Sequence, residues 1–233
     1  MLFYIKRILS SPVFWFCSLL LIFVMILGCY EDLACAEQEK LPVLYFLITT
    51  NAVGITHVLV PVICTVPFLF YYVDELEKRT VYYQMIRMKK KRKYIGGQIL
   101  AALITPCLVA FVSVIAFTLI CLLFGAGFQS VDMIGEYFEN SLFGEMIKDG
   151  SLLGVYMIHV AAFLLYSLPW VLVGIAVSYI SKNRYVIIAS PFIFDMVISY
   201  VTEMLSYDIL GPDSTLLKGN VIYLFGGGIF YAI

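Results

Sequence analysis

The chain has 233 residues, 62% of them hydrophobic and only 13% charged, with a net charge of -1. Soluble domains are about half apolar and about a quarter charged, so a water-facing globule cannot hide this excess, and lipid must be the solvent. Net charge names no partner and no nucleic-acid partner is expected; the placement of the charges is what carries information.

Residues 2–9 mix apolar side chains with Lys6 and Arg7, a pattern suited to a short helix lying in the membrane interface. Pro12 then opens the first apolar run, where its missing N–H costs nothing. Six such runs occur, at about 13–29, 43–73, 98–124, 152–180, 185–205 and 216–233. Crossing the hydrocarbon takes about 20 helical residues. The first run is slightly short, the second and fourth have room for tilt or a break, and the last is marginal. The expected fold is all-α: one six-span transmembrane domain over 1–233 with a short N-terminal interfacial helix.

The first run also resembles a secretion signal, with Ala34-Cys35-Ala36 as a cleavage-like site and Ile26-Leu27-Gly28-Cys29 as a lipoprotein-like box. It is read here as a true first span. Four of the six cysteines fall inside runs as small apolar residues. Cys29 and Cys35 sit at or beyond the outer end of the first run, where a disulfide could form. No C-x-x-C pair points to a metal, and the two histidines, His57 and His159, do not make a metal site by themselves.

With the N-terminus placed in the cytoplasm, twelve of the 15 Lys and Arg residues fall on the inner side and three, Lys40, Lys148 and Lys218, on the outer. Eleven acidic residues, beginning with Glu31 and Asp32, fall outside. This bias orients the spans with both termini inside.

Eight of the basic residues lie in one segment, 74–97, which reads DELEKRTVYYQMIRMKKKRKYIGG. Asp74 and Glu77 have the spacing of a capping box, and acidic residues precede basic ones as a helix dipole prefers. A cytoplasmic helix continuing or turning from the second span is expected. A basic cluster anchors topology and attracts anionic lipid. Val81, Tyr82, Tyr83, Met85, Ile86 and Met88 add more apolar surface than an anchor needs, which suits docking on a protein.

Glu75, Arg79 and Thr80, the basic tract 89–93, and Gly96-Gly97-Gln98 as a small-residue start of the third span together resemble the permease subunit of ABC-2 type exporters. The topology and length resemble that family along the whole chain, although the family often carries Gly where this chain has Arg79 before Thr80. The resemblance implies that 74–97 is a coupling segment docking on a separate ATPase subunit through Glu75, Arg79, Thr80, Tyr82, Tyr83, Ile86 and Arg87. It also implies a second permease copy or paralogue, and a bacterial plasma-membrane location. The chain has no G-x-x-x-x-G-K-[ST] loop, so ATP and Mg belong to the partner and no cofactor is expected here. Such permeases are linked to export of, or protection against, antimicrobial peptides and other amphiphiles. The acidic outer side favours cationic cargo.

Ionisable residues at membrane depth are candidates for function. Asp195, Ser199 and Glu203, four residues apart, share one helix face of the fifth span. His57 lies in the second span, before Pro61 and Pro67. These four are the substrate-pathway candidates, against a plain reading as hydrogen bonds between helices. His159 suits a local hydrogen bond. Residues 125–151 form the longest outer loop, with apolar side chains at helical spacing between acidic ones.

Other readings remain open. His57 and Cys64 are seven apart, as in membrane Cys/His peptidases that mature signalling peptides, although an accessible thiolate is then required. Asp74-Glu75-x-x-x-Arg79 is close to the motif of CAAX-type intramembrane proteases, but these need two downstream histidines and only His159 follows. A non-transporting immunity or sensor protein has the same topology.

Overall fold

The second and fourth apolar runs are longer than one straight crossing needs, and the chain divides both. A computed structural model describes residues 2–39, 41–52, 55–78, 91–128 and 152–210. Among them the helices are α1 (Leu2–Leu9), α2 (Pro12–Gly28), α3 (Tyr30–Glu39), α4 (Val43–Ala52), α5 (Ile55–Glu77), α6 (Lys91–Leu123), α7 (Leu152–Tyr166), α8 (Leu168–Ile180) and α9 (Arg184–Leu210). No strand occurs among the described residues.

Helix ends follow local chemistry. The Ser11 side chain accepts from the Phe14 N–H at 3.3 Å, and Pro12 occupies the first turn of α2. At Cys29 the chain bends by 75° into α3. Helix α6 ends on Gly125 at φ 89°. There Ala126 N–H reaches Cys121 O and Gly125 N–H reaches Leu122 O, the paired bonds of a Schellman cap that only a residue tolerant of positive φ allows. Ser167 separates α7 from α8, its hydroxyl donating to Leu164 O at 2.8 Å.

Among the described residues three stretches are long and apolar enough to cross a membrane: Val58–Glu77, Ile95–Leu123 and Leu152–Ile180. A fourth exists if α2 and α3 form one broken span. The fifth apolar run lies within α9, and the sixth, 216–233, lies outside the described residues. The outer loop 129–151 also lies outside them.

Helix α5 is the hub, packing against α2, α6, α8 and α9. Its apolar window is 61% buried, against 28% for Leu152–Ile180. Phe14, Leu21 and Met25 of α2, Cys64 and Leu69 of α5, and Phe117 of α6 fill the core. Gly174 of α8 lets that helix close on α5: a Cβ there would stand 2.6 Å from a methyl of buried Leu69. The outward faces are apolar too. Phe16, Leu19, Phe23 and Leu27 of α2 and Ile193, Met196 and Val197 of α9 are exposed, as lipid-facing surfaces require. Polar side chains turn inward and serve backbone carbonyls, as when the Ser113 hydroxyl donates to Ser18 O at 3.1 Å between α6 and α2.

Three expectations are corrected. Asp74 and Glu77 do not start a helix: they belong to the last turn of α5, and the Asp74 carbonyl accepts from Lys78 N–H at 3.1 Å. Nothing after Pro67 breaks the helix, so it runs on through the acidic residues. The dipole pairing is therefore reversed, with acids at the end of α5 and Lys91, Arg92 and Lys93 opening α6. Gly96 and Gly97 lie inside α6, at the start of its apolar stretch Ile95–Leu123, where a small-residue entry to the span was expected. Finally, Cys29 and Cys35 are both free thiols, Cys29 buried and Cys35 exposed on the far side of the bend.

Candidate functional sites: two buried carboxylates

The first site forms where α1, α5 and α6 meet. Glu75 is 2% exposed. The Tyr71 hydroxyl, one turn earlier on α5, donates to Glu75 Oε1, and Gln98 Nε2 of α6 donates to Glu75 Oε2 at 3.0 Å. Arg7 of α1 stands over the Tyr71 ring, 4.7 Å from its centroid. Its guanidinium donates to the Tyr71 hydroxyl at 3.0 Å and lies 3.8 Å from Glu75 Oε1. A carboxylate this deep is stable only with charge and hydrogen-bond compensation, and these three helices supply it. Glu75, one of the docking candidates, has its side chain turned into the bundle.

Around this cluster the same end of the molecule gathers charge from distant parts of the chain. Lys78 pairs with Asp74 at 2.7 Å on the surface. Ser178, in the last turn of α8, approaches the Tyr72 hydroxyl at 3.5 Å. Arg184 lies over its Tyr185 neighbour, 5.4 Å from the ring centroid, and within electrostatic range of Glu77 and Asp74. The opposite end carries Glu31 and Asp32, the latter accepting from the Tyr45 hydroxyl at 3.3 Å. The remaining docking candidates, Arg79, Thr80, Tyr82, Tyr83, Ile86 and Arg87, lie outside the described residues.

The second site is at mid-depth. Asp195 is eleven residues into α9, about 17 Å from its start at 1.5 Å per residue. It is 1% exposed, and the Tyr166 hydroxyl at the end of α7 donates to its Oδ1 at 2.8 Å. Trp170, in the first turn of α8, meets Tyr166 edge-to-face, with ring centroids 5.8 Å apart. Trp170 is 3% exposed, yet its indole N–H makes no hydrogen bond. Leaving such a donor unsatisfied costs about 1–3 kcal/mol.

Pro191 stands one turn before Asp195 inside α9. A proline there has no N–H for the Ile187 carbonyl, and the Ser190 hydroxyl takes that carbonyl at 2.8 Å. The helix has a soft point whose polar group stays satisfied. Of the other pathway candidates, Ser199 and Glu203 continue along α9 and His57 lies in α5, but their side chains lie outside the description.

His159 is buried, with Nδ1 2.8 Å from Val155 O one turn back, a local bond. Cys64 is wholly buried on α5, without the water access that a thiolate nucleophile needs. Among the described residues no group of His, Cys, Asp and Glu could hold a metal ion.

Sequence reasoning missed Arg7, Gln98, Tyr166 and Trp170 as members of these clusters. Trp170 carried a signal: tryptophans prefer the two interfaces of a membrane, and this one lies in the middle of an apolar run. Comparison with known proteins identifies no relative: no family model, curated protein or solved structure matches the chain.

Proposed function

We propose that this chain is the membrane permease subunit of an ATP-driven exporter, crossing the bacterial plasma membrane six times with both termini in the cytoplasm. A separate ATPase, carrying ATP and Mg, docks on the segment after α5, and a second permease copy or paralogue completes the pathway. Cationic amphiphiles, antimicrobial peptides among them, are the proposed cargo, for export or self-protection.

The observation that carries this reading is the Glu75 cluster at the root of the docking segment. A push on residues 79–90 is delivered to the end of α5 and the start of α6. There Glu75 binds Gln98 of α6 and lies beside Arg7 of α1, so the three helix ends move together. Helix α5 in turn packs on α2, α6, α8 and α9, which lets one lever tilt most of the bundle. Tyr82, Tyr83 and Ile86 supply the apolar grip, and Arg79 and Arg87 the charge.

The test places a photo-crosslinking amino acid at position 82 or 86 of the full chain in its own host membrane. The expected product is a covalent complex with a P-loop ATPase, whose ATP hydrolysis the chain stimulates and Arg79→Glu does not. Cross-links to lipid alone, with drug or peptide resistance intact, would overturn the proposal in favour of an immunity or sensor protein.

A further inference from the structure

We propose that Asp195, Tyr166 and Trp170 form a recognition point for a ligand bearing an ammonium group beside a carbonyl, as at the N-terminus of a lipophilic peptide. As a cargo site this rests on the exporter reading; as a binding site it stands on the geometry alone.

Each part of the ligand answers a group in the site. Asp195 Oδ1 accepts from Tyr166, and a carboxyl group with about four lone-pair sites can add an ammonium N–H to the partners it has. An ammonium alone is costly at the bilayer midplane; placed against a carboxyl group it can form a neutral, charge-assisted pair. The Trp170 N–H is a buried donor with no acceptor, and a carbonyl next to the ammonium supplies one. The Tyr166 and Trp170 rings, at 78° to each other, give a bound cation an aromatic wall. The site is closed as it stands, and α9 is the element that opens it. Pro191 weakens the helix just before Asp195, while Ser190 keeps the Ile187 carbonyl satisfied, so α9 can bend there without stranding a polar group.

The chain has two tryptophans. Trp15 is 54% exposed near the basic end, bonded to Leu9 O. Trp15→Phe therefore leaves Trp170 as the sole indole emitter, inside the site. The full-length Trp15→Phe chain in lipid nanodiscs, without any ATPase, is titrated with glycine octyl ester, octylamine and octyl acetate. Glycine octyl ester shifts the Trp170 emission saturably, octylamine binds at least about tenfold more weakly, and octyl acetate gives no saturable shift. Asp195→Asn keeps an acceptor for Tyr166 and weakens the ester by at least about tenfold; Asp195→Glu retains binding. Trp170→Phe, followed by calorimetry, removes the advantage of the ester over octylamine.

Equal titrations in the parent and Asp195→Asn, or an equal response to octyl acetate, would mean simple partitioning and overturn the proposal. Calorimetry on the unsubstituted chain repeats the comparison if Trp15→Phe does not fold. Failure here leaves ATPase cross-linking untouched, and loss of that cross-link leaves this binding untouched, so the two readings fall separately.

Discussion

Glu75 and Asp195 are equally buried, yet they are held in different ways. Glu75 sits at the charged end of the bundle, where an interfacial arginine can lean in and an amide reaches across from α6. Asp195 sits at mid-depth, held by a phenol and next to an indole whose N–H is unused. Burial alone therefore does not say what a carboxylate is for. Glu75 ties three helices together, whereas Asp195 lies beside an unsatisfied indole donor and a helix softened by Pro191.

Substitutions can break that contrast, and the largest effect belongs to the tied site. Glu75→Ala strands the donors of Tyr71 and Gln98 and should lower stability by about 2–3 kcal/mol in equilibrium SDS unfolding. Glu75→Gln, which keeps an acceptor, should fall between. A neutral Glu75→Ala would mean that the cluster does not fasten the helices. Gly174→Val drives a side chain into Leu69 between α8 and α5, with an expected loss of about 1–3 kcal/mol by the same measurement. This probes the packing that separates the two sites.

Asp195→Asn should cost under about 1 kcal/mol, because Tyr166 keeps its acceptor. A loss as large as that of Glu75→Ala would make Asp195 a structural tie and erase the distinction. The smallest effect is Lys78→Ala. Its ion pair with Asp74 is solvent-exposed, so about 0.3–0.5 kcal/mol is expected. That would confine the stability at this end to the buried cluster.

The legible part of the fold was what lipid demands. Apolar runs announced where helices lie, because only helices satisfy every backbone group in hydrocarbon. The segregation of Lys and Arg is matched by basic residues from α1, the end of α5 and the start of α9 gathering at one end. What sequence could not give was direction. Glu75 belongs to a surface-looking motif, yet the rotation of α5 aims it inward, and rotation is set by packing against α1 and α6. The Asp74–Glu77 spacing suited a cap equally well, but a continuing apolar helix has no reason to stop for a capping pattern. Asp195 was legible as a candidate because a charge at mid-depth stands out by itself. Tyr166 and Trp170 were not, since aromatics are common in such runs and only the third dimension brings them to the carboxylate.

The brevity of α2 has its own consequence. Seventeen residues rise only about 26 Å, against a hydrocarbon thickness of about 30 Å. The 75° bend that follows turns the chain away before any deficit can be made up. With Phe16, Leu19, Phe23 and Leu27 facing outward, acyl chains beside this helix have to shorten their reach. The protein is thereby expected to pinch the bilayer on one flank and to favour short-chain lipids there.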